Sequence, residues 1–174
     1  LFTTEAGARA NLLREGISDE RIHFVGNVMI DTLMAQQSRA VPAAQTLAGV
    51  GGSDFLEDER GYGVLTLHRP SNVDDPAVLK RLLGVLREIS EGTPIVFPMH
   101  PRTRARLQDA GLSGLLDSPD ILTLEPLGYL ELLGLLADAR LVLTDSGGLQ
   151  EETTALGVPC ITLRENTERP ITVT

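Results

Sequence analysis

Short apolar runs alternate with stretches of helical spacing along this chain, and few folds accommodate that order. The runs are Arg21–Val25, Gly63–Leu67, Pro94–Pro98, Ile121–Leu124, Leu141–Thr144 and Pro159–Leu163. Between them, Glu5–Glu15 carries Ala6, Ala10 and Leu13 after a cap at Thr4 and stops at Gly16. Asp75–Glu91 places Val78, Leu82, Leu83, Leu86 and Ile89 on one stripe, with Pro76 in the first turn, where proline is permitted. Pro101–Ala110, Gly128–Ala137 and Leu149–Leu156 are shorter helical stretches. Strand and helix in alternation predict an α/β fold, a Rossmann-like parallel sheet with right-handed crossovers and helices on both faces. The strands from Gly63 to Leu163 are apolar on both sides, as such a sheet requires. Ser38–Glu59, with Pro42, Gly49, Gly51, Gly52 and Asp54, breaks the rhythm and reads as a linker or mobile loop with room for one helical turn.

Composition removes several classes of function. The chain has 174 residues, a formal net charge of -9 and 3% aromatics. A nucleic-acid surface wants a basic stripe and stacking rings, so no nucleic-acid partner is expected. One Cys excludes a disulfide framework, and three His beside it form no metal-ligand spacing, so no metal is expected. Cys160 sits in an expected buried strand with no adjacent base and reads as a core thiol. No apolar run approaches the ~20 residues of a membrane helix, which gives the expectation of no membrane partner and a cytoplasmic location.

In an open parallel sheet, ligands bind outside the carboxyl ends of the strands. Four such places carry polar clusters. Leu141 to Glu152 runs from a strand through Asp145-Ser146-Gly147-Gly148 into a helix. Glycines allow close backbone approach, and free N–H groups at a helix start attract anions. Ser146 can donate to a phosphate oxygen, and Glu152 can accept from both hydroxyls of a ribose. The plainer reading makes Ser146 or Asp145 a helix cap, with Glu151 and Glu152 at its positive end. His68-Arg69 closes the first core strand, either to stabilise departing phosphate charge or as a structural pair. His100 ends the next strand, followed by Arg102, Arg104 and Arg106, which spread around a helix as solvated surface. Arg164 and Arg169 lie in the fourth loop, within reach of a phosphate or facing solvent. The G-x-G-x-x-G fingerprint of dinucleotide binding is missing, since Gly49, Gly51 and Gly52 follow no strand.

Read together, these motifs resemble the non-hydrolysing UDP-N-acetylglucosamine 2-epimerases of bacteria and archaea. Thr3-Thr-Glu-Ala6, Asn11 to Gly16, Val25-Gly-Asn27, His68-Arg69, Pro98-Met-His100, Glu125 to Tyr129, Asp145 to Glu152 and Thr167 to Pro170 fall in family order. S-G-G-x-Q-E-E and T-E-R-P are the specific signatures among them.

The resemblance implies the C-terminal half of a GT-B fold. Residues 1–27 would end an upstream Rossmann-like domain, 28–60 would be a crossover helix and linker, and 61–174 a UDP-binding domain truncated at its C-terminus. The catalytic carboxylates would lie upstream of Leu1, leaving the chain alone inactive. The implied reaction interconverts UDP-GlcNAc and UDP-ManNAc by eliminating and re-adding UDP, with no cofactor. A GT-B glycosyltransferase and a hydrolysing 2-epimerase are the alternatives. Ser146, Gly147 and Gly148 would hold the diphosphate, Glu152 the ribose, and Arg169 the phosphate side. Leu127 and Leu132 would line the uridine pocket, and His68 would be the catalytic histidine. Arg69 and His100 match positions near an effector site for a second nucleotide-sugar. Many members continue that His-Arg pair with Arg-Glu where this chain has Pro70-Ser71. A homodimer is implied for the full-length protein.

Overall fold

The computed structural model describes residues 1–167 and 169–172. The chain divides into two compact units, Leu1–Ser38 and Arg39–Thr174. In the first, strands β1 (Phe2–Thr3) and β2 (His23–Phe24) pair in parallel around helix α1 (Ala8–Arg14), and α2 (Val28–Gln36) follows. Asn27 caps α2 by accepting from the Met29 N–H at 3.0 Å.

The second unit holds the main sheet. Its helices and strands in chain order are α3 (Ala43–Ala48), α4 (Asp54–Glu57), β3 (Gly63–Thr66), α5 (Pro70–Val73), α6 (Pro76–Gly92) and β4 (Ile95–Pro98). There follow α7 (Pro101–Asp109), β5 (Ile121–Leu124), α8 (Tyr129–Asp138), β6 (Leu141–Thr144), α9 (Gly147–Leu156) and β7 (Cys160–Thr162). The five strands are parallel in the order β5-β4-β3-β6-β7. The chain therefore builds outward from β3 through β4 to β5, then returns to start β6 on the other side of β3. That reversal opens a crevice past Thr66 and Thr144, which lie opposite each other in register.

Alternation along the strands sorts the core into two layers, because successive side chains point to opposite faces. Leu65, Ile95, Phe97 and Leu143 pack with Leu79, Leu83 and Leu86 of α6 and Leu107 of α7. Val64, Val96 and Val142 pack on the other side with Leu135 and Leu136 of α8 and Ala43 and Leu47 of α3. This is the expected parallel sheet with helices on both faces.

Asp75 caps α6, accepting from the Ala77 N–H at 2.8 Å, and Pro76 takes the first helical position. The buried line on α6 is Leu79, Leu83, Leu86 and Ser90, with Leu82 and Ile89 at its flank. It is centred one position beyond the stripe read from the sequence. Helix α9 ends at Gly157, whose φ of 72° is the left-handed conformation that costs glycine no Cβ clash.

Two features differ from the sequence reading. Ser38–Glu59 is folded: α3 buries Ala43 and Leu47 completely, and the Val41 N–H donates to the Leu130 carbonyl at 3.0 Å. Its proline and glycines shape short helices rather than a free linker. At the other end β7 is an edge strand; Ile161 is 51% exposed and Cys160 half-buried, so two-sided burial stops at β6. Burial pushes the Cys160 thiol pKa up, with hydrogen bonds from Thr153 and Thr162 opposing it. Among the described residues no helix is long and apolar enough to cross a membrane.

Candidate functional site

The β3–α5 and β6–α9 turns meet at the crevice because Thr66 and Thr144 are register partners, their hydroxyls 2.6 Å apart. The Thr144 hydroxyl also accepts from the Ser146 N–H at 3.0 Å, which turns the chain into α9. Thr103 of α7 donates to the Leu67 carbonyl and holds the β3 turn from its far side.

Asp145 is fully buried between these turns. Its carboxylate accepts from the backbone N–H of His68 at 2.9 Å and of Arg69 at 2.7 Å, and from Asn72 Nδ2 at 3.1 Å. His68 Nδ1 lies 2.9 Å from its other oxygen. Burial alone raises a carboxyl pKa. Here the His68 ring, the Arg69 and His68 N–H groups and Asn72 outweigh it, and the Asp145 pKa falls below its ordinary value. Asp145 thus does not cap α9; Ser146 does, accepting from the Leu149 N–H at 3.5 Å.

A depressed carboxyl pKa stabilises the fold fully above the unfolded value of ~3.9. That contribution disappears as the pH falls through the lower folded value. The Asp145 13Cγ resonance should therefore titrate below ~3.9; a midpoint at or above it would contradict this arrangement.

A cavity of about 210 Å³ opens beside the turns, lined by Thr66, Leu67, His68, Pro98, His100, Pro126, Leu127, Leu132, Ser146 and Leu149. Five residues singled out from the sequence, His68, His100, Leu127, Leu132 and Ser146, share its wall. The His68 and His100 rings are 5.5 Å apart between centroids. His100 also caps α7, its Nδ1 accepting from the Arg102 N–H at 3.1 Å. Gly147 and Gly148, between the lining residues Ser146 and Leu149, are the first two residues of α9 rather than a turn before it. Their N–H groups belong to the first turn, which has no intrahelical acceptors.

Glu152, one turn on, is 8% exposed and accepts from the Tyr129 hydroxyl at 3.2 Å. Burial pushes its pKa up, with the neighbouring Glu151 adding to the rise and the Tyr129 hydrogen bond opposing it. Tyr129, the first residue of α8, is thus the partner of Glu152, a pairing that the sequence reading left unassigned.

Other residues fall apart from the cavity. Arg69 Nε donates to the Asp145 carbonyl at 3.2 Å, and Arg69 lines a second cavity of about 480 Å³ with Arg81 and Arg164. Arg69 and His100, grouped as a candidate effector pair, thus line different cavities. Arg169 lies 3.5 Å from the buried Glu151. Thr167 donates to Gln150 Oε1 at 2.6 Å, joining the T-E-R-P loop to α9, while Glu168 of that motif lies outside the described residues. The arginines of α7 face acids, Arg102 and Arg106 meeting Asp74 and Arg104 meeting Glu125. Among the described residues no group of three or more His, Cys, Asp or Glu is placed to hold a metal ion.

A family model for UDP-N-acetylglucosamine 2-epimerase matches residues 1–174. The chain belongs to the UDP-N-acetylglucosamine 2-epimerase family. Within it, the chain is 44% identical over 176 residues to the UDP-N-acetylglucosamine 2-epimerase of Methanococcus maripaludis, covering 99% of this chain and 47% of that protein. It is 37% identical to the UDP-2,3-diacetamido-2,3-dideoxy-D-glucuronate 2-epimerase of Pseudomonas aeruginosa, covering 97% of this chain and 44% of that one. The crystal structure of Methanocaldococcus jannaschii UDP-GlcNAc 2-epimerase, in complex with UDP-GlcNAc and UDP, superposes with a TM-score of 0.82 at 42% identity. That match takes in 99% of this chain and 47% of the other. The chain spans about half the length of the relatives it matches.

Proposed function

We propose that this chain supplies the UDP-binding half of a non-hydrolysing UDP-GlcNAc 2-epimerase, which interconverts UDP-GlcNAc and UDP-ManNAc. The observation that carries the reading is the convergence of the α9 N-terminus, His68 and an apolar cleft on one cavity at the sheet's reversal point. A nucleoside diphosphate matches that arrangement part by part. The Ser146 hydroxyl and the Gly147 and Gly148 N–H groups suit the diphosphate, where backbone donors and the helix dipole favour negative charge. Leu127 and Leu132 offer apolar faces to the uracil ring. We assign Glu152 to the ribose diol and Arg169, beside Glu151, to the phosphate side, although neither lines the cavity itself.

In the reaction, the C1–O bond to UDP breaks as the C2 proton leaves, giving a 2-acetamidoglucal and UDP. Re-addition of UDP at C1, with protonation of C2 from the opposite face, gives the epimer. His68 stands where it can neutralise charge on the departing diphosphate. The groups that move the C2 proton belong, on this reading, to the other half of the enzyme. Residues 1–174 alone should then bind UDP weakly and turn over nothing.

The test is to give the full-length protein UDP-GlcNAc and follow the sugar by NMR. A mixture of UDP-GlcNAc and UDP-ManNAc is expected. Free ManNAc with UDP would place it among hydrolysing enzymes, and transfer to an added acceptor without isomerisation among glycosyltransferases. Turnover restricted to a 2,3-diacetamido uronate would move the substrate toward that of the Pseudomonas relative.

Glu152 supplies a narrower check. Glu152→Gln keeps the shape but removes a charged acceptor, so UDP binding should weaken by ~1.5–3 kcal/mol, the range for hydrogen bonds to charged groups. An unchanged calorimetric isotherm would return Glu152 to the role of a buried helix-end acid.

A further inference from the structure

We propose that Asp145 is the positioning residue of this site, keeping a hydrogen on His68 Nδ1 so that Nε2 is the ring nitrogen that takes up a proton and, once protonated, donates to the departing diphosphate. The inference rests on the reading of His68 as a catalytic group but adds a residue and a protonation pattern to it. An ionised carboxylate only accepts hydrogen bonds, so a ring nitrogen 2.9 Å from Asp145 Oδ1 must carry a hydrogen. With Nδ1 so engaged, Nε2 is left to face the cavity that His68 lines.

The carboxylate is also fixed from every side. The N–H groups of His68 and Arg69 and the Asn72 amide all donate to it, and Asn72 donates in turn to the Leu163 carbonyl at 2.9 Å. Asp145 therefore has little freedom to follow a rotating ring, and the ring must take the orientation that Asp145 sets. A purely structural carboxylate would need the backbone donors and nothing from the imidazole. The ring contact is what distinguishes positioning from bracing.

Two measurements test this. In the 15N-histidine-labelled chain, at a pH where the ring is neutral, His68 should show a protonated Nδ1 and an unprotonated Nε2. A dominant Nε2–H tautomer would overturn the proposal. In the full-length enzyme, Asp145→Asn is nearly isosteric, but its NH2 group can face the ring and demand the opposite tautomer. Turnover should fall on the order of 10²-fold, the scale of a mispositioned catalytic group, with the UDP Kd within about twofold. Combined with His68→Asn, it should cause no further loss, because it acts through that ring. A second loss of the same size in the double variant would make Asp145 independent of His68 and overturn the proposal. If Asp145→Asn fails to fold, the tautomer in the unmutated chain still decides. Absence of epimerase activity in the full-length protein would refute the proposed function, whereas the tautomer is read without any turnover.

Discussion

His68→Asn in the full-length enzyme should lower kcat by roughly 10²–10⁴-fold, the usual weight of a positioned acid or base, while UDP binding changes little. The substitution keeps a polar group of similar reach but removes one that can carry or release a proton near neutral pH. His68 lines the cavity next to Ser146 and His100, while Asp145 secures its backbone N–H. Asparagine can keep that backbone bond, so the turn and the helix start should remain in place. The interaction lost is one that matters as charge builds on the leaving diphosphate, and such losses appear in kcat rather than in ground-state affinity. Parallel kinetics and UDP calorimetry separate the two. Equal losses in turnover and binding would make His68 a structural residue.

Gly134→Ala should destabilise the second unit by at least about 3 kcal/mol, the upper end of the range for overpacking a core. A Cβ at Gly134 would sit 1.8 Å from the Val41 carbonyl oxygen and 2.9 Å from its carbon. These are backbone atoms, so no side chain can swing aside. The strand-like approach of residue 41 to α8 is also pinned by the Val41 to Leu130 hydrogen bond. The added methyl must therefore push the segment before α3 away and lift Ala43 and Leu47 off the core, both of which are fully buried. A chemical denaturation midpoint unchanged from the parent chain would show that this segment does not dock as described.

The same pair of residues explains what was legible in the sequence. The inner strands β4, β3 and β6 could be read because each is a local apolar run whose two faces are both covered. Ser38–Glu59 could not, because the surface that buries it is presented by α8, some ninety positions later. Its glycines look like flexibility until Gly134 is seen to make room for it. Pro159–Leu163 read as a core strand on composition, yet an edge position is a property of strand order, which no local pattern carries.

The site shows the same division. Ser146, Gly147, Gly148 and Glu152 are contiguous with a strand end, so their grouping was visible in one motif. The rule that ligands sit at strand carboxyl ends picks out His68, His100 and Ser146 of the cavity wall, whereas Leu127 and Leu132 enter only through the family resemblance. Asp145 was visible only as a helix-cap candidate, because its partners lie more than seventy residues upstream and meet it through the Thr66 to Thr144 register. Tyr129 was hidden for a similar reason, its hydroxyl reaching across from α8 to Glu152 on α9.

On the proposed reading, the strand ends around the α9 N-terminus form a UDP site. Titrating UDP into the 15N-labelled chain and following backbone amides tests it most directly. Saturable shifts are expected at Ser146, Gly147, Gly148, Glu152, Leu127 and Leu132, with the amides around Arg81 at the second cavity unmoved. Shifts centred on Arg81 and Arg164, with those six amides unchanged, would contradict it.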